Sequence, residues 1–214
     1  MEDKLFFLAV RNTFLITICS SIIVILVGAM TGYVLARKKG WISSFMLMLT
    51  MGVMMVPTIS LIVPLYKVML TLQGINTFWG IILLISTQYL PISIIIYSNF
   101  IKSIPIDLDE AAEIDGCGKV STFFRIILPQ LGSVTTSVII LNGVKMFNEF
   151  VFALYFLQTP DKKMVTTYIS SFFSEVSNLN VASAAALLAI LPVVLVYLSL
   201  QKYFIHTSIE SMGK

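Results

Sequence analysis

Five long apolar segments separated by polar breaks set the pattern of this chain: Thr13–Ala36, Ser44–Tyr66, Phe78–Ile101, Leu131–Leu157 and Val181–Phe204. Each is long enough to cross a hydrocarbon core about 30 Å thick, which takes about 20 helical residues at a rise of about 1.5 Å each. None keeps the strict apolar–polar alternation of a barrel strand, and each is far longer than such a strand requires. The pattern predicts an all-α fold, a polytopic transmembrane helical bundle of five spans forming one membrane domain over residues 1–214. No internal repeat, low-complexity tract or linker divides it.

Within the spans, Pro57, Pro64 and Pro91 each withhold a helical hydrogen bond and predict kinks. Bundled membrane helices tolerate such breaks. These kinks are either static packing features or the walls of a pathway that opens and closes. Between spans, Thr71–Thr77 reads as a short turn around Gly74. The longer Gln158–Asn180 link has Pro160–Asp161 as a turn signal and an interfacial helix expected within Met164–Val176. Ala182, Ser183 and Ala184–Ala186 open the fifth span with small residues that let helices approach closely.

The long polar interruption is Ile104–Leu131, inside a loop covering 102–130. It holds Asp107, Asp109, Glu110, Glu113 and Asp115, five of the chain's 11 acidic residues. Pro105 ends what precedes it. Asp107 suits an N-cap, and Glu110 three residues later completes a capping-box pattern. The acids favour the positive end of the helix dipole, and Gly116 suits a left-handed termination. The spacing predicts a helix over Leu108–Asp115, about 12 Å long. Such a helix is marginal alone and must be held by its own bundle or by a partner. A second helix is expected from near Ser121 through Phe123, Phe124, Ile126 and Ile127, with Pro129 marking entry into the fourth span.

Composition agrees with the membrane class: 57% of residues are hydrophobic, 12% are charged and the mean hydropathy is +0.94. Soluble domains carry about 25% charged residues. The net charge of +3 is small, and no basic run suits a nucleic-acid backbone. Basic residues decide orientation. Arg37, Lys38, Lys39, Lys102, Lys119, Arg125, Lys202 and Lys214 fall on one side, against Lys4, Arg11, Lys162 and Lys163 on the other. The positive-inside rule places the N-terminus outside and the C-terminus in the cytoplasm. Met1–Arg11 lacks the basic start and cleavage site of a secretory signal, so the first span is read as retained.

Candidate chemistry is sparse. Cys19 and Cys117 sit in different settings and predict neither disulfide nor metal site, and the lone His206 has no partner ligands nearby in sequence. A calcium loop starting at Asp107 fails, with Ala112 at its sixth position and Gly118 at its twelfth. Glu110 and Glu113 on one short helix cannot flank a sugar as glycosidase carboxylates do. A solvated charged face remains. In the fourth span, Lys145 and Glu149 lie four apart and predict a pair, with Thr135 and Asn142 near the same stripe. With Asn148 they are candidates for lining a solute pathway; the alternative is a buried polar contact with a neighbouring helix or subunit.

The order Glu110-Ala111-Ala112, Asp115-Gly116, then Phe123 or Phe124, Ile126, Leu128 and Pro129, resembles the EAA loop of ABC-importer permeases. Asn99-Phe100, Ser103-Ile104-Pro105 and Leu108 upstream are similar to maltose-type carbohydrate permeases. So are Phe147-Asn148-Glu149-Phe150 and Gln201-Lys202-Tyr203-Phe204 downstream. The resemblance implies a coupling helix that docks into a cleft on a separate ATPase subunit. Glu110 would contact a basic group there, Ala111 and Ala112 would seat in the cleft, and Asp115 and Gly116 would shape the turn. The chain has no G-x-x-x-x-G-K-[ST] sequence, so ATP and Mg belong to the partner and this subunit is not itself an enzyme. The implied partners are a second permease, two ATPase subunits, an extracytoplasmic solute-binding protein and the lipid of a prokaryotic plasma (inner) membrane.

Departures from the pattern are Ser133 in place of a second proline, Thr207 and Ser211 in place of glycines, and five spans against the usual six, the first either absent or lying before an internal start. The implied cargo is a sugar or oligosaccharide. The alternatives are another solute such as an amino acid or peptide, a secondary transporter, or a membrane-embedded enzyme.

Overall fold

The computed structural model describes residues 2–38, 40–174 and 183–191, with 194 and 198. Among these, no strand occurs. The first span is α1, Glu2–Arg37, 36 residues long and starting well before the expected Thr13. Its polar first turns contain no glycine or proline, so nothing stops the helix at the edge of the apolar run. The third span, α4, Phe78–Ser103, runs as expected and carries Pro91 without a break. In lipid-exposed bundles, side chains and neighbours re-satisfy the backbone around such a proline.

The second span is not one helix. It is divided into α2, Trp41–Met54, a 3-10 turn at Thr58–Leu61 and α3, Ile62–Thr71. Pro57 is extended (φ −62°, ψ 124°), and the residue before a proline is pushed out of the helical region. Met55 and Val56 close α2 with tight bonds to the Gly52 and Val53 carbonyls, at 3.1 and 3.2 Å. Pro64 makes no kink, because it is the third residue of α3, where the backbone N–H has no helical acceptor.

The fourth span is also broken, into α8, Gly132–Phe147, and α9, Val151–Phe156. Asn148 and Glu149 cause the interruption by offering the backbone alternative partners. The Asn148 amide donates to the Val144 carbonyl at 2.8 Å, and the Glu149 carboxylate accepts the Phe152 N–H at 3.1 Å. The helix expected within Met164–Val176 is present as α10, Val165–Ser174. Of the fifth span, residues 183–191 are helical, and the rest of Val181–Phe204, with His206, Thr207 and Ser211, lies largely outside the described residues. Among the described residues, two helices, Lys4–Arg37 and Phe78–Ser103, are long and apolar enough to cross a membrane, and up to four crossings result if each bent pair counts as one.

Contacts divide the chain into two units. One comprises Met1–Ser21, Pro57–Ser86 and Ile140–Lys202. Here the 71–77 turn and the 158–165 link are stapled by polar side chains. Asn76, left-handed at φ 57°, accepts from the Gln158 and Thr159 N–H groups at 3.2 and 3.3 Å. Asn12 donates to the Asp161 carbonyl at 2.8 Å, and Thr13 accepts the Val165 N–H at 2.9 Å. Gly74, the expected pivot of the turn, serves close approach instead: a Cβ there would lie 2.9 Å from both Met69 Sδ and the Trp79 ring.

The other unit comprises Ile22–Val56 and Thr87–Ile139. Its core gathers Ala29, Tyr97, Ile101, Ile104, Phe123 and Ile127. Tyr97 is fully buried and donates its hydroxyl proton to Thr135 at 3.0 Å. α1 and α4 touch through Gly28 and Gly32. A Cβ at Gly32 would sit 2.8 Å from Tyr97 Cβ and 2.9 Å from the Ser98 nitrogen, whereas at Gly28 the nearest atom is at 3.2 Å. Gly32→Ala is expected to cost about 1–3 kcal/mol through overpacking, and Gly28→Ala less. Gly52→Ala, with nothing within 4 Å, should be neutral or stabilising. Thermal unfolding in detergent should rank the three in that order.

Candidate functional site

The polar interruption folds into α5, Asp107–Ile114, flanked by Ile104–Ile106 and by Asp115–Gly118. The helix begins one residue before the expected Leu108 and ends at Ile114. Its N-cap is Ile106, with no side-chain cap, so the expected Asp107–Glu110 capping box does not form. The Ile106 carbonyl accepts the Asp109 and Glu110 N–H groups at 2.8 and 3.2 Å, placing Asp107 inside the first turn. The acids Asp107, Asp109 and Glu110 still occupy the positive end of the helix dipole.

The C-terminus matches expectation. Gly116 has φ +82°, the Cys117 N–H reaches the Ala112 carbonyl at 2.8 Å, and the Gly116 N–H reaches Glu113 at 3.1 Å. These paired bonds are the Schellman arrangement, and the left-handed residue they require is best supplied by glycine.

The chain then continues through α6, Lys119–Thr122, a π-helical turn at Phe123–Ile127 and α7, Leu128–Gln130. It starts earlier than the expected Ser121. Pro129 explains the wide turn, because its ring crowds the carbonyl four residues back and it has no N–H to donate. The Leu128 N–H accordingly reaches Phe123, five residues back. A 74° bend follows between Lys119–Gln130 and Gly132–Phe147.

What holds α5 is a residue singled out only as one of five acids. Asp109 turns inward, its side chain 14% exposed, and its Oδ2 lies 2.7 Å from Arg37 Nη2. Tyr33 donates its hydroxyl proton to Oδ1 at 2.5 Å. Arg37 also donates through Nη1 to the Ile101 and Ile104 carbonyls, at 3.2 and 3.0 Å. The sequence signal was available: Tyr33 and Arg37 are four apart and share one face of α1, and Asp109 and Ala112 share one face of α5. Arg37 had counted only toward orientation.

Of the expected docking residues, Glu110, Ala111, Asp115 and Gly116 are exposed. Ala112 is not: it is 3% exposed and packs against its own chain. Ile114, unremarked in the sequence, is 87% exposed and extends the outward surface of α5 with an apolar side chain. A cavity of about 320 Å³ opens beside the helix, with Lys38 and Lys119 among its walls opposite Glu110 and Glu113. Among the described residues, no group of three or more His, Cys, Asp or Glu side chains could hold a metal ion.

The fourth-span candidates separate. Asn142 and Glu149 are buried, at 3% and 8% exposure, while Lys145 and Asn148 are exposed. Lys145 and Glu149 do not pair. α8 ends at Phe147, so the four-residue helical spacing that would bring them together is lost, and Glu149 serves the Phe152 N–H instead. Asn148 and Glu149 together shape the break.

A sequence profile of the family described as binding-protein-dependent transport system inner membrane component matches residues 24–207. The melibiose/raffinose/stachyose import permease protein MelC of Bacillus subtilis is 37% identical over 196 residues, covering 91% of this chain and 71% of that protein. The multiple sugar-binding transport system permease protein MsmG of Streptococcus mutans is 30% identical, covering 91% and 72%. The arabinooligosaccharides transport system permease protein AraQ of Halalkalibacterium halodurans is 28% identical, covering 95% and 73%. The fold is similar to the crystal structure of a bacterial ABC transporter involved in the import of the acidic polysaccharide alginate. The TM-score is 0.79 at 22% identity, over 94% of this chain and 76% of that one.

The absence of a Lys145–Glu149 pair is directly testable. A double-mutant cycle of Lys145→Ala and Glu149→Ala, read by thermal unfolding, is expected to give an interaction energy within about 0.5 kcal/mol of zero. Glu149→Ala alone should be destabilising, and Glu149→Gln, whose amide oxygen still accepts the Phe152 N–H, milder.

Proposed function

The chain belongs to the binding-protein-dependent transport system inner membrane component family, and on that premise we propose that it is the membrane-spanning permease subunit of an ATP-driven ABC importer for sugars or oligosaccharides. The names of MelC, AraQ and MsmG support the sugar class, and family membership supports a transport permease over a secondary transporter. The partners are a second permease, two ATPase subunits that hold ATP and Mg, and a solute-binding protein outside. The subunit lies in the plasma membrane of a prokaryote with its C-terminus in the cytoplasm, as the distribution of basic residues supports.

The observation that carries the mechanism is α5: a short helix held to its own chain on one face, with Glu110, Ala111 and Ile114 left outward on the other. On this reading it enters a cleft of the ATPase, Glu110 meets a basic group, and Asp115 and Gly116 turn the chain back. Ala112 contributes by letting the helix lie close to its own bundle. Closure of the ATPases on ATP then moves α5, and the spans rock between outward and inward access. Asn142 and Glu149, buried near the α8 break, and Asn148 and Lys145 beside them are the residues proposed to face the solute pathway.

Glu110→Arg and Gly116→Pro are expected to abolish co-purification of the cognate ATPase, the first by charge and the second because proline cannot adopt φ +82°. Intact ATPase binding in both variants would overturn the docking assignment. ATPase stimulation in proteoliposomes, across binding proteins loaded with different solutes, identifies the cargo. Stimulation confined to amino-acid or peptide carriers would overturn the sugar class.

A further inference from the structure

We infer that Arg37 is the positioning residue that ties the docking helix to two membrane helices at once, so that movement of α5 becomes movement of α1 and α4. The inference rests on α5 being the docking helix.

Of the eight residues of α5, only Ala112 is buried, and a methyl group offers little apolar grip. The grip comes instead from Asp109, both of whose carboxylate oxygens are engaged by α1: Oδ2 by Arg37 and Oδ1 by Tyr33. The same guanidinium reaches past the carboxylate to the Ile101 and Ile104 carbonyls. Ile101 lies in the last turn of α4, where its carbonyl accepts the Ile104 N–H at 3.1 Å and takes Arg37 as a second donor. Ile104 follows the helix end. One side chain of α1 therefore joins the end of α4 to the start of α5 across the Pro105 linker.

The choice of residue type is informative. A guanidinium has donors in a planar fork and can serve a carboxylate and two carbonyls together, while an ammonium is a single point of charge. A partly buried ion pair is a poor way to gain stability compared with apolar packing. Apolar packing was already present in this unit, where Phe123 lies against Tyr33 with ring centroids 5.4 Å apart. What the ion pair adds, together with the directional hydrogen bonds from Tyr33 to Asp109 and from Arg37 to the two carbonyls, is geometry. These contacts hold α5 in one register against α1 and α4 when the outward face is pulled, whereas an apolar contact can slide. Loss of Arg37 should therefore leave the outward face of α5 able to bind the ATPase while its motion reaches the spans poorly.

The test uses the complete importer, reconstituted in proteoliposomes with its ATPases and loaded binding protein. The readout is solute transported per ATP hydrolysed. Arg37→Gln is expected to keep ATPase co-purification and ATP hydrolysis but to lower this ratio by roughly tenfold, within the range of coupling changes for relay positions. Arg37→Lys, which keeps the charge but not the fork, should lower it by about threefold.

An unchanged ratio in Arg37→Gln, or in Arg37→Lys should Arg37→Gln fail to assemble, would overturn the inference. So would a fall in stability with no change in the ratio. Failure of the docking reading is separately visible, as Glu110→Arg retaining the ATPase. If Glu110→Arg loses the ATPase and Arg37→Gln transports with the native ratio, only the relay falls.

Discussion

A peptide group inside hydrocarbon has no water to turn to, so its N–H and C=O must be satisfied within the chain. That constraint accounts for the uninterrupted runs of α1 and α4, and it also governs where the other spans break. At the end of α2, Met55 and Val56 tighten onto the preceding turn before Pro57 takes the chain into extended geometry. Beyond α8, the Asn148 amide and the Glu149 carboxylate substitute for backbone partners. Before α8, Pro129 is absorbed by widening one turn to five-residue spacing. Each interruption coincides with a residue that removes a backbone donor or offers a competing one.

The loop between α4 and α8 obeys a different rule. α5 buries almost no apolar surface and is too short to be stable by itself. Its place is set by one carboxylate received by a tyrosine and an arginine of α1, and by a glycine that closes its far end. Charge on the inner face and exposure on the outer face leave a helix fixed from behind and open in front. The small residues Gly28 and Gly32 bring α1 against α4 closely enough for Arg37 to reach the Ile101 carbonyl at the end of α4 and the Ile104 carbonyl just beyond it.

The exposed and the buried candidates then occupy different parts of the chain. Glu110, Ala111 and Ile114 of α5 are exposed, while Asn142 within α8 and Glu149 just beyond its end are buried. The polar staples of Asn12, Thr13 and Asn76 hold the 158–165 link against its own unit without any ion pair.

Much was legible in the residues alone. Apolar run length determined the class, the order of Glu110, Ala111, Ala112, Asp115 and Gly116 carried the family resemblance, and Gly116 by itself determined where α5 stops. These are properties of composition and of local backbone geometry, which act within a few residues of one another. Three matters were decided only by the tertiary structure. Asp109 and Glu110 are adjacent and chemically alike, yet one is held inside by Arg37 and the other left outside, because the selecting group lies 72 positions away in sequence. Ala111 and Ala112 are identical, and the bundle behind them decides which is buried. Lys145 and Glu149 have the spacing of a helical pair, but spacing makes a pair only where a helix persists, and Glu149 is part of what ends it.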